Sequence, residues 1–401
     1  MKHDLILFGA TSFVGQITAR NLVARLGIDG EVSWAIAGRN ADKLEAVSVD
    51  VGADVPRLIV DAADADAVAE MAASARVLAS TVGPYAQYGS EVVAACAREG
   101  TDYVDLTGEP HWMAQMIDAH GQEAENSGAR IVHACGFDSI PSDLGVWFLQ
   151  GRSLEQYGAP ASTVELMVKG MKGGASGGTI ATMLNTMEQL SADRSLRKVL
   201  TNPYALAPVE QRSGVRQPNR NGIREHEDEK LWLAPFVMAA TNSKVVHRTN
   251  AVLGNPWGDM LYSEEMVTGS GPLGAAKAAA VTAGLGGFMG LAALGPTRSL
   301  LDRFVLPSPG EGPSPQAQLD GYFKILIRGT TDAGEVTRVS VTGDRDPGYG
   351  STARMLTESA LTLIETPRSQ TPGGFWTPAS AMGDELIEAL GSHAGVQFAQ
   401  L

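Results

Sequence analysis

The stretch LFGATSFVGQI, residues 7–17, carries two glycines between an apolar run and a helical pattern. Gly9 ends the run and Gly15 opens the helix, where a tight turn and a close helix–strand contact need residues without a side chain. Ser12 stands where a GxxGxxG turn has its middle glycine, and its hydroxyl can cap the helix or donate to a phosphate oxygen. The stretch predicts a dinucleotide-binding turn, with an ordinary tight turn as the alternative. The predicted contacts are Gly9, Ala10, Thr11, Ser12, Phe13, Val14 and Gly15.

Short apolar runs alternate with longer helical patterns through the first 135 residues, which is typical of βαβ units that build a parallel sheet. Ser90 is expected to cap one helix at its start, and Gly100 and Gly128 are expected to end that helix and another. Six strands in this rhythm predict an α/β fold with a doubly wound, Rossmann-like parallel sheet. The predicted strands are Leu5–Phe8, Ser33–Ala37, Arg57–Val60, Val77–Val82, Tyr103–Leu106 and Arg130–Ala134. The predicted helices are Val14–Leu26, Ala41–Val49, Ala65–Ala73, Glu91–Arg98 and Met113–Asn126.

The chain has 401 residues, which suits two domains of roughly 150 to 200 residues each. Its net charge of −14 argues against a general affinity for nucleic acid or anionic membranes. Residues 1–145 contain 9 Lys and Arg against 21 Asp and Glu, so an anion bound there must be held by local geometry. Cys96 and Cys135 lie outside any CxxC pattern, so we expect no disulfide framework, no metal site and a cytoplasmic location.

The end of the second predicted strand, WAIAGRN, has no carboxylate where a free ribose 2′-hydroxyl usually meets one. Gly38 is followed instead by Arg39, whose guanidinium suits a 2′-phosphate through bidentate pairing. The pattern predicts NADP(H) as the cofactor, and the alternative is a solvated arginine at a helix start. Asp61, at the end of the third strand, is expected to reach the adenine ring.

The fourth strand runs into STVGPYAQYGS at the carboxyl edge, where open α/β sheets bind ligands. Tyr85 and Tyr88 bring phenols towards the nicotinamide, with a partly buried structural role as the alternative for each. Together with Tyr349, in the glycine-flanked loop DPGYGS, they are the candidate catalytic proton donors, and water is the alternative donor. The cofactor contacts expected in this stretch are Thr81, Val82, Gly83 and Pro84.

The stretch HACGFDSIPSDLG, residues 133–145, takes the sixth strand into a proline-started helix. Asp138 and Ser139 lie at the amino end of that helix, where its dipole favours negative charge. We expect both to contact the cofactor in the cleft between the domains, and helix capping is the alternative. His133 is expected to be a satisfied core histidine rather than a catalyst. No HExxH, GxSxG or GK[ST] pattern is present, which argues against zinc proteases, serine hydrolases and P-loop ATPases.

After Pro141 the rhythm changes to segments that alternate apolar and polar residues: STVELMVKG, YFKILIRGTT and EVTRVSVTGDRD. Without regular helices between them, they predict a second domain with a mixed, largely antiparallel sheet. Two polar, proline-bearing stretches, residues 202–230 and 306–318, are expected to be surface loops. The last fifty residues return to helical patterns.

Residues 278–294, AAAVTAGLGGFMGLAAL, contain no charged side chain and lie at the lower length limit for crossing a bilayer. Their four glycines and many alanines weaken a span. Three interpretations stay open: a plain buried helix, an apolar lid or peripheral membrane contact that admits a lipid tail, and a true span. The second would make the protein membrane-associated.

These stretches together resemble the saccharopine dehydrogenase-like oxidoreductases, and most closely the actinobacterial branch of trans-acting enoyl reductases. The resemblance implies an NADP-binding Rossmann domain at 1–140, an α+β substrate and lipid-handling domain at 141–347, and C-terminal helices at 348–401 that return to the Rossmann domain. The family usually has glycine at the position of Ser12. The matching pieces, between residues 9 and 383, are GATSFVG, AGR, TVGPY, YVDLTGE, GFDSIPSDLG, GDRDPGYGSTARML and GGFWTPASAMG.

In that branch the implied reaction is hydride transfer from NADPH to a carbon–carbon double bond of a long lipid intermediate made by a polyketide synthase. Our leading hypothesis is therefore an NADPH-dependent enoyl reductase of an acyl or polyketide lipid. A saccharopine-type amino-acid dehydrogenase would need basic side chains that converge on carboxylates, and a non-catalytic NADP-binding protein associated with lipid is the third hypothesis. The partners considered are a lipid or other small-molecule substrate, a polyketide synthase and, as an open alternative to a monomer, a second copy in a homodimer. No nucleic acid is expected.

Overall fold

The computed structural model describes residues 2–27, 30–173, 195–293 and 312–401, and its chain separates into two units. The first contains the chain up to Ile140 together with Gly348–Gly395, and the second contains most of Pro141–Pro347 together with Val396–Leu401. The last six residues thus differ from the predicted boundary of 348–401, because Val396–Gln400 form a strand in the sheet of the second unit.

The first unit is built on a sheet of seven parallel strands in the order β13-β6-β5-β4-β1-β2-β3. From β1 the chain proceeds outward to β2 and β3, and then returns to the other side of β1 with β4. A doubly wound sheet binds its ligand at such a reversal, outside the carboxyl ends of the strands. The predicted Rossmann-like fold is confirmed. The strands are β1 His3–Phe8, β2 Trp34–Gly38, β3 Arg57–Ile59, β4 Ala75–Ser80, β5 Asp102–Asp105, β6 Arg130–Val132 and β13 Gly374–Trp376.

The helices of this unit begin and end close to the positions predicted from the apolar pattern. Gly100 and Gly128 end their helices in the left-handed conformation, with φ of +74° and +83°, as expected. The prediction for Ser90 is wrong, since it is the first helical residue and its hydroxyl accepts a hydrogen bond from Trp112 Nε1 at 3.0 Å. The helices are α1 Phe13–Leu26, α2 Ala41–Asp50, α3 Ala65–Ala73, α4 Tyr85–Tyr88, α5 Ser90–Glu99, α6 Pro110–Ser127, α12 Thr352–Glu365 and α13 Pro378–Ala389.

The edge of this sheet is completed from the C-terminal part of the chain. Strand β13, which the sequence pattern did not predict, pairs with β6 and places Gly374 opposite Arg130. The buried guanidinium of Arg130 forms an ion pair with Asp102 and donates to the carbonyl oxygens of Leu363 and Thr366, each at 2.7 Å. A buried ion pair is stabilising only when its remaining donors are also satisfied, and here the end of α12 supplies the acceptors.

The second unit contains a seven-stranded sheet in the order β14-β12-β11-β7-β10-β9-β8. Among its described strands only β7 and β10 pair in parallel, which confirms the predicted mixed, largely antiparallel sheet. Its strands are β7 Thr163–Lys172, β8 Arg224–His226, β9 Leu231–Pro235, β10 Leu261–Gly269, β11 Tyr322–Thr330, β12 Val336–Gly343 and β14 Val396–Gln400. Its helices are α7 Ile140–Tyr157, α8 Ser195–Thr201, α9 Ala239–Val252, α10 Gly271–Ala293 and α11 Pro315–Leu319.

Both predicted surface loops contain some regular secondary structure in their described parts. Residues 202–230 are largely irregular but include a short helical turn, Val209–Gln211, and strand β8. Of residues 306–318, the part before Gly312 lies outside the described residues, and the rest leads into α11.

Candidate cofactor-binding and active site

The turn between β1 and α1 contains two glycines that have no room for a side chain. A Cβ on Gly9, whose φ is +89°, would lie 2.8 Å from both Thr81 Oγ1 and Val82 Cγ2. A Cβ on Gly15 would lie 2.2 Å from the carbonyl oxygen of Gly9. These close approaches bring the amino end of α1 against the carboxyl ends of β1 and β4, which is the ligand-binding edge of the sheet.

Ser12 uses its hydroxyl within the protein. Its Oγ accepts a hydrogen bond from the N–H of Gly15 at 3.0 Å and donates to Thr81 Oγ1 at 3.1 Å. Thr81 Oγ1 donates in turn to the carbonyl oxygen of Gly9 at 2.9 Å. Of the two roles considered for Ser12, the structure shows the helix cap, and the same hydroxyl fastens the turn to the end of β4.

The turn keeps backbone donors available for an anion. Within the described ranges, no acceptor is found for the N–H groups of Thr11, Phe13 and Val14. The first N–H groups of a helix have no partner inside it, and they carry the positive end of its dipole. A pyrophosphate needs donors of this kind. The turn therefore fits the phosphates of a dinucleotide.

Arg39 projects from the corner between β2 and α2. Gly38 is the buried last residue of β2, and Asn40 caps α2 by accepting the N–H of Lys43 at 2.9 Å, so the backbone on both sides of Arg39 is held. The arginine itself is exposed and has no hydrogen bond or ion pair to any residue that the structure describes. Its guanidinium is available for a phosphate. Asp61, also exposed, accepts the N–H of Ala63 at 3.0 Å through one carboxylate oxygen.

A carboxylate that the sequence analysis did not select holds the backbone after β4. Glu109 is buried and accepts the N–H groups of Tyr85 and Ala86, at 2.8 and 3.0 Å. Burial raises the pKa of Glu109, and these two hydrogen bonds oppose the shift. The stretch from Thr81 to the cis Gly83–Pro84 bond is thus followed by a firmly held first turn of α4. The motif YVDLTGE, which ends in Glu109, was the available signal in the sequence.

The three candidate phenols occupy different environments. Tyr85 is buried, and its hydroxyl donates to the carbonyl oxygen of Ser80 at 3.0 Å and accepts the N–H of Leu106 at 3.1 Å. Burial raises the pKa of Tyr85 well above its usual value. Tyr88 is 43% exposed. Tyr349 is buried and packs edge-on against the ring of Phe13, with the ring centroids 4.6 Å apart. The hydroxyl of Tyr85 is therefore fully used in the core, which disfavours it as a proton donor.

Asp105, another residue absent from the predicted site, organises the loop that follows β6. Its carboxylate accepts the N–H of Thr107 at 3.1 Å and the N–H of Ala134 at 2.9 Å, and it lies 2.7 Å from His133 Nδ1. Ala134 has a φ of +62°, a left-handed conformation that is strained for a residue with a Cβ. His133 is only half satisfied, because its buried Nε2 has no hydrogen-bond partner in the described part of the chain. The loop after β6 is thus held in one conformation by a buried carboxylate.

Asp138 and Ser139 lie between this loop and α7. Ser139 is buried, and its N–H donates to the carbonyl oxygen of Gly136 at 3.2 Å. Asp138 is partly buried, and its carboxyl group has no hydrogen bond or ion pair within the described part of the chain. Burial raises the pKa of Asp138 to about 6. The sequence placed both residues at the start of this helix, and the structure leaves the carboxyl group of Asp138 unused.

Three basic side chains of the second unit bind the protein's own acceptors. Arg224 donates through Nε to Glu265 at 3.0 Å and forms an ion pair with Glu165 at 3.0 Å. His226 lies 3.0 Å from the same Glu165. Lys244 is buried and donates to the carbonyl oxygens of Leu200 and Ala240, and burial lowers the pKa of Lys244 to about 8. These basic side chains are therefore engaged before any substrate is present.

Helix α10 contains most of the uncharged stretch 278–294, and Leu294 lies outside the described residues. The helix packs on β9 and β10 near its start, where Gly274 and Ala278 are buried. After Ala278 none of its described side chains is buried, and Leu291 is 47% exposed. The buried-helix interpretation is therefore wrong for these residues.

Within the described ranges, no helix has the length and apolar character needed to cross a membrane. In the same ranges, no cluster of three or more His, Cys, Asp or Glu side chains could hold a metal ion.

Known proteins resemble this chain in sequence and in fold. Residues 5–132 match the saccharopine dehydrogenase NADP-binding domain. A Mycobacterium tuberculosis protein provisionally named a trans-acting enoyl reductase is 42% identical over 99% of this chain and 97% of its own length. The trans-acting enoyl reductases of Mycobacterium bovis and Mycobacterium ulcerans are 38% and 36% identical over 97% of this chain and 96% of their own lengths. Saccharopine dehydrogenase (L-Glu forming) from Saccharomyces cerevisiae has the same fold, with a TM-score of 0.55 at 12% identity and full coverage of both chains.

The matching domain and the phosphate-ready turn agree on the cofactor, so the protein is an NADP-dependent oxidoreductase, as the sequence predicted. The extent of the identity decides the family, since the alignment with the mycobacterial relatives runs through both units. The chain belongs to the family of trans-acting enoyl reductases, within the saccharopine dehydrogenase-like oxidoreductases.

Proposed function

We propose that the protein uses NADPH to reduce the carbon–carbon double bond of an enoyl thioester, in an acyl or polyketide lipid intermediate that a separate polyketide synthase supplies. The observation that carries the proposal is the combination of backbone donors at the start of α1 with the guanidinium of Arg39, none of which has a partner among the residues that the structure describes. This combination occurs in a chain whose relatives are named for enoyl reduction in trans.

The site residues divide between the two ends of the cofactor. The N–H groups at the start of α1 would hold the pyrophosphate, Arg39 with Gly38 the 2′-phosphate, and Asp61 the adenine end. Thr81–Pro84 would line the nicotinamide end, together with Asp138 and Ser139. When bound, NADPH supplies a hydride, so the protein must provide the orientation and a route for the accompanying proton.

The proton must reach the α-carbon of the enoyl group. Tyr85 is a poor source because both hydrogen-bonding positions of its hydroxyl are used. Tyr88 is exposed, and Tyr349 packs beside the phosphate-binding turn. Among the predicted phenols, Tyr88 and Tyr349 remain candidates for the donor, with water as the alternative.

The charge arrangement of the second unit favours a lipid over two amino acids. A saccharopine-type substrate carries several carboxylates, which need unpaired cations. Arg224, His226 and Lys244 of the second unit instead bind Glu165, Glu265 and backbone carbonyl groups. The exposed apolar helix α10, whose one charged residue is Lys277, suits a lipid tail or a membrane surface better than an amino acid.

The test is NADPH oxidation by the purified protein with a long-chain trans-2-enoyl N-acetylcysteamine thioester. We expect oxidation with this probe, none with the saturated thioester, and transfer of deuterium from C4-labelled NADPH to the β-carbon. NADPH oxidation only with an amino acid and an aldehyde would identify the rival reaction and overturn the proposal.

Lipid contact through α10 is tested separately by flotation with liposomes. We expect the protein to float, and replacement of Phe288 and Met289 by Ser to reduce the floating fraction. Replacement of Leu319, an exposed apolar residue of α11, by Ser is the matched control. If the unchanged protein does not float, α10 does not bind lipid.

A further inference from the structure

Asp138 differs from the other acidic groups that follow strands in the first unit. Asp105 accepts two backbone N–H groups and lies against His133. Glu109 accepts two backbone N–H groups, and Asp61 accepts one. Asp138 has no such partner in the described ranges, although it is partly buried. A partly buried carboxyl group without a partner has no evident structural role, and its desolvation is a cost to the fold.

The loop that carries Asp138 is held from two sides. Asp105 fixes the beginning of the loop. Its carboxylate accepts the N–H of Ala134, and its backbone carbonyl oxygen accepts the N–H of Cys135 at 2.7 Å. Thr352, at the start of α12, accepts the N–H of Phe137 at 3.0 Å. The backbone immediately before Asp138 is thus fixed, and strain is retained at Ala134. Strained and over-determined loops of this kind concentrate at functional sites.

The position of the loop in the sheet determines which half of a dinucleotide it meets. Arg39 and Asp61 follow β2 and β3, on one side of the reversal between β1 and β4. The loop of Asp138 follows β6, on the opposite side and beyond the Thr81–Pro84 segment. Since a dinucleotide lies across the reversal with its two nucleotides on opposite sides, Asp138 lies on the nicotinamide side if Arg39 marks the adenosine side.

We propose that Asp138 is the general acid that delivers the proton to the α-carbon of the substrate. The assignment rests on the proposed function. As the hydride from NADPH forms the new C–H bond at the β-carbon, the electron pair of the double bond moves towards the thioester carbonyl. The proton leaves the carboxyl oxygen of Asp138 and forms the new bond at the α-carbon. Asp138 is left as a carboxylate and regains its proton from water, and the acyl chain has gained the two electrons that NADPH lost.

Two physical features suit Asp138 to this role. Burial raises the pKa of Asp138 to about 6, so a useful fraction of the group carries a proton near neutral pH. The amino end of α7, which begins two residues later at Ile140, favours the carboxylate that remains after transfer. Of the other titratable groups at this edge, Asp105, Glu109 and Tyr85 form hydrogen bonds within the protein, and His133 is held through its Nδ1 by Asp105.

The first experiment needs no lipid substrate. It compares the affinities of NADP⁺ and NADPH for the unchanged protein, for Asp138→Asn and for a control, Asp118→Asn, on the exposed face of α6. The oxidised nicotinamide carries a positive charge that a nearby carboxylate stabilises, so the ratio of the dissociation constants, NADP⁺ over NADPH, should fall roughly 5-fold between about pH 5 and about pH 7.5. The 2′-phosphate also titrates in this range, but it is common to both cofactors and cancels in the ratio.

We expect Asp118→Asn to reproduce the fall and Asp138→Asn to abolish it while leaving NADPH affinity within about 2-fold of the unchanged protein, which is less than the loss of one charged hydrogen bond. A ratio that does not change with pH in the unchanged protein would overturn the placement of Asp138. So would a fall that persists in Asp138→Asn.

The second experiment measures single-turnover reduction of the trans-2-enoyl N-acetylcysteamine thioester. Asp138→Asn should lower the rate roughly 10²-fold or more, Asp138→Glu should restore part of it, and the fall in rate above about pH 6 should be absent in the Asn variant. An unchanged rate in Asp138→Asn would refute the role as acid. If the unchanged protein reduces no enoyl probe but shows the pH-dependent cofactor ratio, the proposed substrate fails and the position of Asp138 beside the nicotinamide is supported.

Discussion

Replacement of Arg39 by Ala tests how much the contact with the 2′-phosphate contributes to cofactor affinity, separately from the contacts with the rest of the cofactor. The side chain makes no hydrogen bond or ion pair with the described residues, so its removal should leave the thermal unfolding temperature unchanged. NADPH and NADH share every group except the 2′-phosphate. A change in their relative affinity therefore reports the contact of Arg39 with that phosphate.

The expected size follows from charge and exposure. A hydrogen bond to a charged group contributes about 1.5 to 3 kcal/mol, which is roughly 10- to 150-fold in affinity. Arg39 is exposed, so solvent and salt screen the pair and we expect the lower end of that range. The strongly acidic N-terminal part of the chain repels the phosphate, so Arg39→Ala exposes the cofactor to that repulsion as well.

The assay is a fluorescence titration of NADPH and NADH against the unchanged protein, Arg39→Ala and Arg39→Lys. Arg39→Ala should lose about 10-fold in NADPH affinity with NADH nearly unchanged, and Arg39→Lys should retain part of the preference because it keeps the charge but not the planar fork. Arg98→Ala, which removes an exposed arginine on α5, is the control and should change neither. Equal affinities of the unchanged protein for both cofactors would refute the assignment, as would an equal loss of both on mutation.

Substitutions at three other residues test the local structure by urea unfolding. Ser12→Ala should destabilise the protein by about 1 kcal/mol through loss of the helix cap, and Ser12→Gly by only a few tenths; equal stability of Ser12→Ala and the unchanged protein would contradict the cap. Tyr85→Phe should cost about 1 to 3 kcal/mol because the N–H of Leu106 loses its acceptor, while the enoyl reduction rate stays within several-fold; a roughly 10²-fold loss of rate at unchanged stability would instead make Tyr85 the proton donor. Burial outweighs Arg25 and raises the pKa of Glu358 to about 7, above its usual 4.5, so the folded state holds this proton more tightly than the unfolded state does. The resulting stability is complete below about pH 4.5 and is lost as pH rises through about 7, so the unchanged protein should lose about 2 kcal/mol relative to Glu358→Gln between about pH 5.5 and about pH 8. Parallel pH curves for the two proteins would contradict this.

All strands of the first sheet except β13 could be predicted from the sequence. Strands such as Trp34–Gly38 are buried on both faces and appear as continuous apolar runs between helical patterns, so the chain itself marks them. Strand β13 could not be found in this way. Its three residues are too few to show a period, and its partner β6 lies more than two hundred residues earlier in the chain.

The candidate site was predictable where backbone geometry demands a residue type. Gly9 and Gly15 are required by contacts shorter than any side chain permits. Arg39 could be chosen because no carboxylate stands at the end of β2. Asp105 and Glu109 were missed because the motif YVDLTGE does not show which backbone N–H groups of other segments its carboxylates bind, and this depends on tertiary proximity.

Helix α10 shows a different limit of the sequence pattern. Its alanine- and glycine-rich composition is the same for a core helix and for an exposed one. Only the packing on β9 and β10 decides that the first turns are covered and the later ones are open. The composition therefore left its burial undecided.

The acceptors around Arg130 set an order of events during synthesis of the chain. Once residue 140 has emerged from the ribosome, six strands of the dinucleotide-binding unit are outside it, but Leu363, Thr366 and β13 are not. Until about two hundred further residues have emerged, the guanidinium of Arg130 lacks two of its acceptors and the edge of β6 is unpaired. A nascent or truncated chain that ends near residue 140 should therefore be sensitive to protease and prone to edge-to-edge aggregation, and the unit that binds the cofactor matures only when the C-terminal part of the same chain joins it.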